Sequence, residues 1–540
     1  MMRKLTFIVS FLLIIFNSFT CVKTKAKGSG SESDSSHPDN PLIVVDIKNE
    51  KQTIENFGAS DCWTTKFIGK WTNTVKKNLI ADYLFSMDTT ARGNPKGIGL
   101  SLWRFNIGAG SFEQGPTCKI PDEFRREECF LNPNGMYDWT KQAGQQWFLN
   151  GAKQRGVNNF LAFSNSPPVQ FTINGEAYGS GTSQFNLKPG SENDFADFLV
   201  NVVEHFNQEG FNMRYVSPVN EPQWNWGDKK ISQEGSGATN AEIANFVKLL
   251  GPKLKAANSI TRIALGEAAQ WNFLYAEHDN RGKQLNDFFN PVSSNYIGNV
   301  PNVDNIFSAH SYFTSCPDDS LIKIRQDAFN TKNQVSPSLK LWQTEFGILG
   351  NICGKYNGYP KNTGIDYGLY VAKVIYDDLA IANVSAWQWW LAVDTYNYSD
   401  GLVYINDPAG GYDLNAMKTD GIVSDSKQLW CLGNYSRFVR PGMIRVEASL
   451  NTIADDTAAA SSQMITAYKN PANNQLVMVI VNMETIGKEF SIDPSKLKLT
   501  NDQMAVYTTD ATHNLGKSIV NSNSVIIPAK SVVTLVGNYK

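Results

Sequence analysis

The chain has 540 residues, of which 42% are hydrophobic, and a formal net charge of −2 from 49 Lys and Arg against 51 Asp and Glu. This length and apolar content suffice for a large core and favour two folded units. The near-neutral balance, without a long run of either sign, gives no electrostatic basis for binding nucleic acid or another polyanion.

The first 20 residues have the features of an export signal, with two basic residues followed by an apolar run from 5 to 16. Cys21 lies where a bacterial lipoprotein signal places its lipidated cysteine, so we expect either a lipid anchor there or simple cleavage nearby. Residues 21–41, rich in Ser, Gly and charged side chains, are predicted to form a flexible tether. The protein is thus expected in the bacterial periplasm, anchored at the outer-membrane surface, or secreted.

Six further cysteines form an even set, which suits an oxidising compartment. Cys118 with Cys129, and Cys316 with Cys353, bracket loop-like segments and could close them. Other pairings are equally compatible with the sequence, and several cysteines could be buried free thiols. With only five His and no CxxC or HExxH motif, we expect no zinc site.

The middle of the chain alternates short apolar strands with longer amphipathic helices, a pattern typical of βα units on a parallel sheet. Since each strand needs cover on its outer face, eight such strands favour a closed (β/α)8 TIM barrel, which we assign to residues 54–433. The predicted strands span residues 55–60, 99–106, 159–165, 213–220, 262–267, 305–312, 339–346 and 384–393.

Beyond this region short strands follow one another, separated by Asn, Asp, Gly and Pro turns without a helix-length run. This pattern predicts an attached antiparallel β-sandwich domain over residues 434–540. The apolar segment LIVVDI precedes the barrel, and we expect residues 42–53 to join the sandwich as an N-terminal strand. The predicted fold class is therefore α/β, a TIM barrel with a β-sandwich.

Two glutamates stand where a barrel of this type carries reactive side chains, at the carboxyl ends of its strands. The fourth predicted strand ends in Asn220-Glu221-Pro222, and the seventh ends at Glu345. These strands face each other across the barrel mouth, and glycosidic bond hydrolysis requires two opposed carboxyl groups, one protonated and one ionised. Taken alone, a glutamate at a strand end is more often a solvated residue or an ion-pair partner.

Five segments together carry a more specific pattern: GASDCW (58–63), GIGLSLWRFNIGAGSFEQG (97–115), FSNSPP (163–168), SPVNEPQWNW (217–226) and NYSRFVRPGMIRV (434–446). With the second glutamate and the barrel-then-sandwich order, they resemble glycoside hydrolase family 30 of clan A, closest to its endo-β-1,6-galactanase-like branch. The resemblance extends from about residue 45 to the end of the chain.

The resemblance implies a retaining hydrolase with Glu221 as acid/base, Glu345 as nucleophile, and no metal or organic cofactor. It further implies that Asn220 binds the sugar 2-hydroxyl and that Tyr312 donates its hydroxyl to Glu345. Arg104 would keep Glu345 ionised and oriented, although a buried structural ion pair is the alternative for this arginine.

Other residues near the predicted mouth are expected to contact substrate, and Glu267 is either such a contact or a support for one. Alternation along the last barrel strand puts Trp387 and Trp389 on one face and Trp390 on the other, and we expect Trp389 to form the main stacking platform. The full set of predicted substrate contacts is Asp61, Trp103, His310, Glu267, Trp387 and Trp389.

The branch that the chain resembles favours β-1,6-galactan, such as arabinogalactan side chains, cleaved at internal linkages by a monomer. Xylan is the main rival, since another branch cleaves glucuronoxylan through a cationic, Tyr-rich surface near the last barrel loop, where this chain offers only Lys418. A β-1,6-glucanase is a further alternative. A hypothesis of another class is a surface lipoprotein that binds glycans without cleaving them.

Overall fold

The computed structural model describes residues 41–540, except for 180, 182, 183 and 228–230. The predicted export signal and all but the last residue of the predicted tether lie outside these residues. Within them, no helix combines the length and the apolar character needed to cross a bilayer.

The strands, in chain order, are β1 (Leu42–Thr53), β2 (Asn56–Ser60), β3 (Leu102–Ile107), β4 (Asn159–Ser164), β5 (Tyr215–Ser217), β6 (Arg262–Ala268), β7 (Val303–His310), β8 (Lys340–Glu345), β9 (Asn351–Ile352), β10 (Tyr356–Asn357), β11 (Ala386–Asp394), β12 (Gly401–Asn406), β13 (Ile422–Asp425), β14 (Ile444–Leu450), β15 (Gln463–Asn470), β16 (Gln475–Asn482), β17 (Lys488–Ile492), β18 (Gln503–Thr509), β19 (Gly516–Asn521), β20 (Val525–Ile527) and β21 (Ser531–Asn538).

The α-helices are α1 (Thr65–Ile68), α2 (Thr74–Phe85), α3 (Ser111–Gln114), α4 (Ala143–Gln154), α5 (Glu192–Gln208), α6 (Asn240–Ala256), α7 (Gln284–Phe289), α8 (Asp318–Val335), α9 (Ile365–Ala380), α10 (Leu414–Met417), α11 (Lys427–Ser436) and α12 (Asp456–Ser461).

Strands β2 to β8 and β11 form a closed parallel barrel. Each pairs with the next in chain order, and β11 pairs with both β2 and β8, which closes the ring. Strand β12 pairs in parallel with the carboxyl-terminal half of β11 and pairs antiparallel with β13. The predicted (β/α)8 barrel is confirmed, and each of the eight predicted strands overlaps one of the observed strands.

The barrel strands are buried on both faces, because helices cover the outside and side chains fill the inside. Every residue of β3 and of β11 is buried. On the outer layer, α5 turns the apolar stripe of Phe195, Phe198, Leu199, Val202 and Val203 inward, as the three-four spacing of these residues predicts. Because the strands are buried on both faces, the position of each strand end is fixed. The positions of the side chains at the barrel mouth are fixed with it.

The second folded part is a nine-stranded sheet in the order β19-β18-β21-β16-β15-β14-β1-β17-β20. Its strands share a core of their own, to which Ile43 of β1, Ile480 of β16, Phe490 of β17 and Val525 of β20 all contribute. Since strands far apart in the sheet meet in one core, the sheet folds over as a sandwich. Strand β1 pairs antiparallel with β14 and parallel with β17.

The barrel and the sheet are packed together through a common core. In β16, Val477 and Val479 belong to the large barrel cluster, whereas Leu476 and Met478 belong to the sandwich core, as alternation along a strand requires. The boundary placed between residues 433 and 434 falls within α11. There the Asn434 amide donates to the sheet, with a 2.9 Å bond to the Thr534 hydroxyl.

One of the two suggested cysteine pairs forms a disulfide. Cys316 and Cys353 are bonded, whereas Cys118 and Cys129 are both free and buried. The latter pairing is wrong because the two thiols pack in different cores: Cys118 lies against Ile120 and Tyr178, and Cys129 belongs to the large barrel cluster.

Burial of β1 predicts that this strand stabilises the sheet. Ile43 is fully buried, so Ile43→Ala should lower the free energy of unfolding by about 2–5 kcal/mol through lost burial and a residual cavity. Ile526→Ala removes an isoleucine that is 61% exposed and is the matched control, with an expected change within about 0.5 kcal/mol. Urea unfolding measures both, and equal effects would contradict the packing of β1.

Candidate active site

The two predicted catalytic glutamates lie at the carboxyl ends of the fourth and seventh barrel strands. Glu345 is the last residue of β8, and Glu221 lies just after β5. Glu221 and Glu267 both adopt positive φ, at 44° and 46°, and the Glu221 amide donates to the Glu267 carbonyl at 2.9 Å. Positive φ is unfavourable for residues other than glycine and is concentrated at functional sites.

The carboxylates of Glu221 and Glu345 face each other across His310. One ligand atom from each of these three side chains lies within 4.8 Å of the other two. His310 Nδ1 is 2.8 Å from Glu221 Oε1 and 3.7 Å from Glu345 Oε1. The two carboxyl groups that the sequence predicts to act together are therefore neighbours.

Arg104, near the middle of β3, joins three of the site residues. Its Nη1 donates to Glu345 Oε2 at 2.7 Å, and its Nη2 donates to Asn220 Oδ1 and to Glu267 Oε2, each at 2.9 Å. The guanidinium is fully buried and lies 3.6 Å from the Phe163 ring centre. Such a donor fork fixes both the charge and the orientation of Glu345.

Glu267 is an ionised carboxylate with a complete set of donors. Burial alone would raise the pKa of Glu267, but Arg104, His310 and the Ser217 hydroxyl favour the charged form and lower this pKa to about 2. The hydroxyl of Thr344 also donates to Glu267, at 2.9 Å. With 1% exposure, Glu267 supports the site from below and does not reach the cleft.

His310 is an imidazolium at the centre of the site, and the prediction that it contacts substrate is wrong. Its side chain is fully buried, and its Nε2 lies 2.9 Å from Glu267 Oε2. Burial would lower the pKa of His310, but the carboxylates of Glu345, Glu221 and Glu267 outweigh this and raise it to about 10. Both ring nitrogens therefore carry protons and donate.

This protonation also bears on metal binding. Glu221, His310 and Glu345 form the one group of three potential ligands detected among the described residues. A protonated imidazole nitrogen has no lone pair to offer a metal ion. With the pKa of His310 raised to about 10, the geometry suits a charge network better than a metal site.

Burial raises the pKa of Glu345, and His310 and Arg104 oppose this rise. The ionised state of this carboxylate therefore depends on those two cations. Tyr312 lies beside it, and burial together with the charges of Glu345 and Glu221 raises the pKa of its phenol. The Tyr312 hydroxyl makes no hydrogen bond of standard geometry to the described residues.

A cleft of about 330 Å³ opens above the two glutamates. Its walls are mainly aromatic: the Trp63 ring packs edge-on against Trp390 at 5.2 Å, and the Arg125 guanidinium lies 4.4 Å from the Trp63 centre. Rings around a polar floor suit the mixed polar and apolar faces of a sugar. The lining residues are Trp63, Arg125, Glu221, Trp224, Trp226, Gln233, Tyr312, Phe313, Glu345, Leu349, Trp390 and Asp400.

The three tryptophans predicted to contact substrate are fully buried, and these predictions are wrong. Trp103 packs against Phe85 and Phe148. On β11 the predicted alternation is correct, but it is the face with Trp390 that lines the cleft, and not the face with Trp387 and Trp389.

Trp387 donates to Asp378 at 2.9 Å, and Trp389 donates to the Asp400 carbonyl at 2.6 Å. Neither of these two rings lines the cleft, whereas Trp390 does. Asp61 is also fully buried and accepts from the Asn106 amide at 2.8 Å, so it does not contact the cleft.

Several cleft residues were not identified from the sequence. Trp63, Trp224 and Trp226 lie within the quoted motifs, close to strand ends, and this position could have pointed to them. Arg125 comes from the long segment between β3 and α4, and Asp400 from the short connection between β11 and β12. Neither carries a local signal of its place in the cleft.

The imidazolium makes the stability of the site depend on pH. Because folding raises the pKa of His310 from 6.5 to about 10, its stabilising contribution is complete below the lower value and is lost as the pH rises to the higher one. The difference in unfolding free energy between wild type and His310→Asn should therefore shrink from neutral to alkaline pH. Urea unfolding across this range measures it, with the exposed His513→Asn as matched control; a constant difference would contradict the charge assignment.

Comparisons with known proteins agree with the motifs. The family model described as O-Glycosyl hydrolase family 30 matches residues 40–404. An endo-beta-1,6-galactanase of Hypocrea rufa is 22% identical over 497 residues, which cover 88% of this chain and 91% of that protein. A glucuronoxylanase of Bacillus subtilis (strain 168) is 22% identical over 509 residues, which cover 92% of each protein.

The crystal structure of a conserved exported protein from Bacteroides fragilis has a TM-score of 0.86 to this chain at 34% identity, and the match covers 92% of this chain and 100% of that one. The predicted family is thus confirmed by a match to most of the chain. The protein belongs to family 30 of the O-glycosyl hydrolases and is a glycoside hydrolase.

Proposed function

We propose that this protein hydrolyses internal β-linkages of a plant-type polysaccharide, with β-1,6-galactan as the preferred substrate, by a retaining double displacement. The observation that carries the proposal is the approach of Glu221 and Glu345, whose nearest carboxylate oxygens lie within 4.8 Å. Retaining enzymes hold their two carboxyl groups about 5–5.5 Å apart, whereas inverting enzymes need about 6.5–9.5 Å to admit a water between them.

In the first step, a carboxylate oxygen of Glu345 attacks the anomeric carbon. The bond from that carbon to the leaving oxygen breaks as Glu221 delivers its proton to the oxygen, and a glycosyl ester on Glu345 results. Arg104, at 2.7 Å from the other Glu345 oxygen, keeps the attacking carboxylate charged and aimed.

In the second step, Glu221 accepts a proton from a water molecule as this water attacks the anomeric carbon. The ester bond breaks, and Glu345 returns to its ionised form. Two successive displacements at one carbon retain its configuration.

The balance of buried charge is compatible with this division of roles. The site contains two cations, Arg104 and protonated His310, and the three carboxyl groups of Glu221, Glu267 and Glu345. With all three ionised the group carries one negative charge in excess, and a single proton removes it. If that proton resides on Glu221, the resting site is neutral and holds the acid that the first step requires.

Asn220 and Tyr312 complete the proposed mechanism. Asn220 accepts from Arg104 through its oxygen, which leaves its amide N–H groups to bind the sugar 2-hydroxyl. The Tyr312 hydroxyl, beside Glu345 and without a bond of standard geometry, is available to donate to the nucleophile.

The choice of substrate rests on the galactanase-like motifs and on the contacts of the cleft. Lys418, the cation of the last barrel loop, is ion-paired with Glu123 and is not free to bind a uronate, which favours a neutral glycan over glucuronoxylan. Xylan remains the second candidate, since the glucuronoxylanase relative is as similar as the galactanase. We further propose that the protein is exported and acts as a monomer.

Removal of the nucleophile tests the mechanism. Glu345→Ala should remain folded and lose hydrolysis, and added azide should restore turnover of an activated aryl glycoside by occupying the space of the missing carboxylate. Glu277→Ala, which removes an exposed glutamate, is the control and should retain full activity. A Glu345→Ala variant as active as wild type would refute the assignment of the nucleophile. Wild-type protein that binds glycans but hydrolyses none would favour a protein that only binds them.

Substrate and stereochemistry can be read from the products. Incubation with β-1,6-galactan, glucuronoxylan, arabinoxylan and β-1,6-glucan should release oligosaccharides from the first of these fastest. Proton NMR of the earliest product should detect the β-anomer. An initial α-anomer would contradict the double displacement, and faster release from a xylan would reassign the substrate.

A further inference from the structure

A second cavity adjoins the catalytic cleft on the side of the seventh barrel strand. Its volume is about 310 Å³, and it lies between the loop after β7 and the loop after β8. The cleft and this cavity share Tyr312, Phe313 and Leu349, so the two form one continuous groove. The cavity is lined by Tyr312, Phe313, Ser315, Cys316, Phe346, Gly347, Leu349, Gly350, Asn351, Ile352 and Cys353.

Phe313 lines both the cleft and the cavity, and it combines an unfavourable backbone conformation with high solvent exposure. Its φ is 57°, which a bulky residue rarely adopts, and the residue is 74% exposed to solvent. Neither feature contributes to a core, since the ring buries little surface. Backbone strain combined with an exposed aromatic side chain is typical of ligand-binding positions.

Buried hydrogen bonds hold the loop that carries Phe313 in place. Asp378 accepts from Ser311 Oγ at 2.9 Å and from Arg325 Nε at 2.9 Å, with both charged groups fully buried. The Tyr370 hydroxyl donates to the Ser315 carbonyl at 3.0 Å. These bonds fix the loop before any ligand arrives, which lowers the entropic cost of binding.

The disulfide between Cys316 and Cys353 joins the two loops on either side of the cavity. It sets the distance between the wall that carries Phe313 and the wall that carries Leu349. The cavity therefore lies between two loops that are covalently joined to each other.

We propose that this cavity is a second sugar subsite, which binds an uncharged glycosyl unit next to the unit that reacts at Glu345. The inference rests on the proposed function of the cleft. Phe313 and Leu349 would pack against the apolar face of this unit, and Ser315, Asn351 and the glycine backbone would bind its hydroxyls. Among the residues that the structure describes, no charged side chain lines the cavity, so a uronate would lose its hydration there without a counter-ion.

The subsite predicts how catalytic efficiency depends on chain length. For wild type, kcat/KM measured from an activated aryl monoglycoside upward through the oligosaccharides of the hydrolysed polymer should rise sharply at the length that first fills the cavity. In Phe313→Ala this step, the rise in kcat/KM at that length, should be about tenfold smaller, the factor that corresponds to about 1.4 kcal/mol of lost binding. On the shortest reactive substrate the same variant should lose much less.

Val292→Ala, which trims an apolar side chain that is 89% exposed, is the matched control and should keep the wild-type step. The double variant Cys316→Ser/Cys353→Ser should lose the same step, since its loops are no longer tied. If that variant does not fold, the Phe313→Ala series decides alone.

An equal loss on short and long substrates in Phe313→Ala would overturn the subsite while leaving the proposed function intact. Wild-type protein that hydrolyses none of the four polysaccharides would overturn the proposed function itself. A step that persists in Phe313→Ala would also overturn the subsite.

Discussion

The site depends on a buried group of opposite charges, each of which would be energetically unfavourable to bury without the others. Arg104 and protonated His310 lie among the carboxyl groups of Glu221, Glu267 and Glu345, and His310 and Glu267 are at most 1% exposed. Each of these charges would be costly to bury without the others. Five different barrel strands or the residues just after them supply these charges, so the group assembles only when the barrel closes. The charge network therefore favours one register of the paired barrel strands, in addition to the apolar packing of those strands.

Much of this arrangement could be predicted from the sequence because barrel geometry is highly constrained. Once eight apolar strands alternate with helices, their carboxyl ends must meet, and Glu221 and Glu345 then become neighbours although 124 positions separate them in the chain. Family motifs added the identity of Arg104 and Asn220, and the structure brings both into contact with the predicted pair.

What the sequence could not supply is the absolute orientation of side chains and the depth of burial. Alternation groups Trp387 with Trp389, but nothing local indicates that this face contacts helix α9 rather than the cleft. His310 was expected at the surface of the site, since a histidine at a strand end carries no sign that carboxylates surround it. Contacts from distant loops, such as those that bring Arg125 over Trp63, depend on long-range packing and leave no periodic signal.

Pairing of β1 with β14 has a consequence for how the chain reaches its native state. During synthesis β1 emerges first, but Ile43 pairs with Leu450, a partner made about four hundred residues later. The sheet can be completed only after the whole barrel has been synthesised, a topology of high contact order that favours slow assembly. Until then β1 is an unpaired edge, open to association with other chains. Biogenesis of this protein therefore calls for protection of its amino-terminal strand until the carboxyl-terminal strands are available.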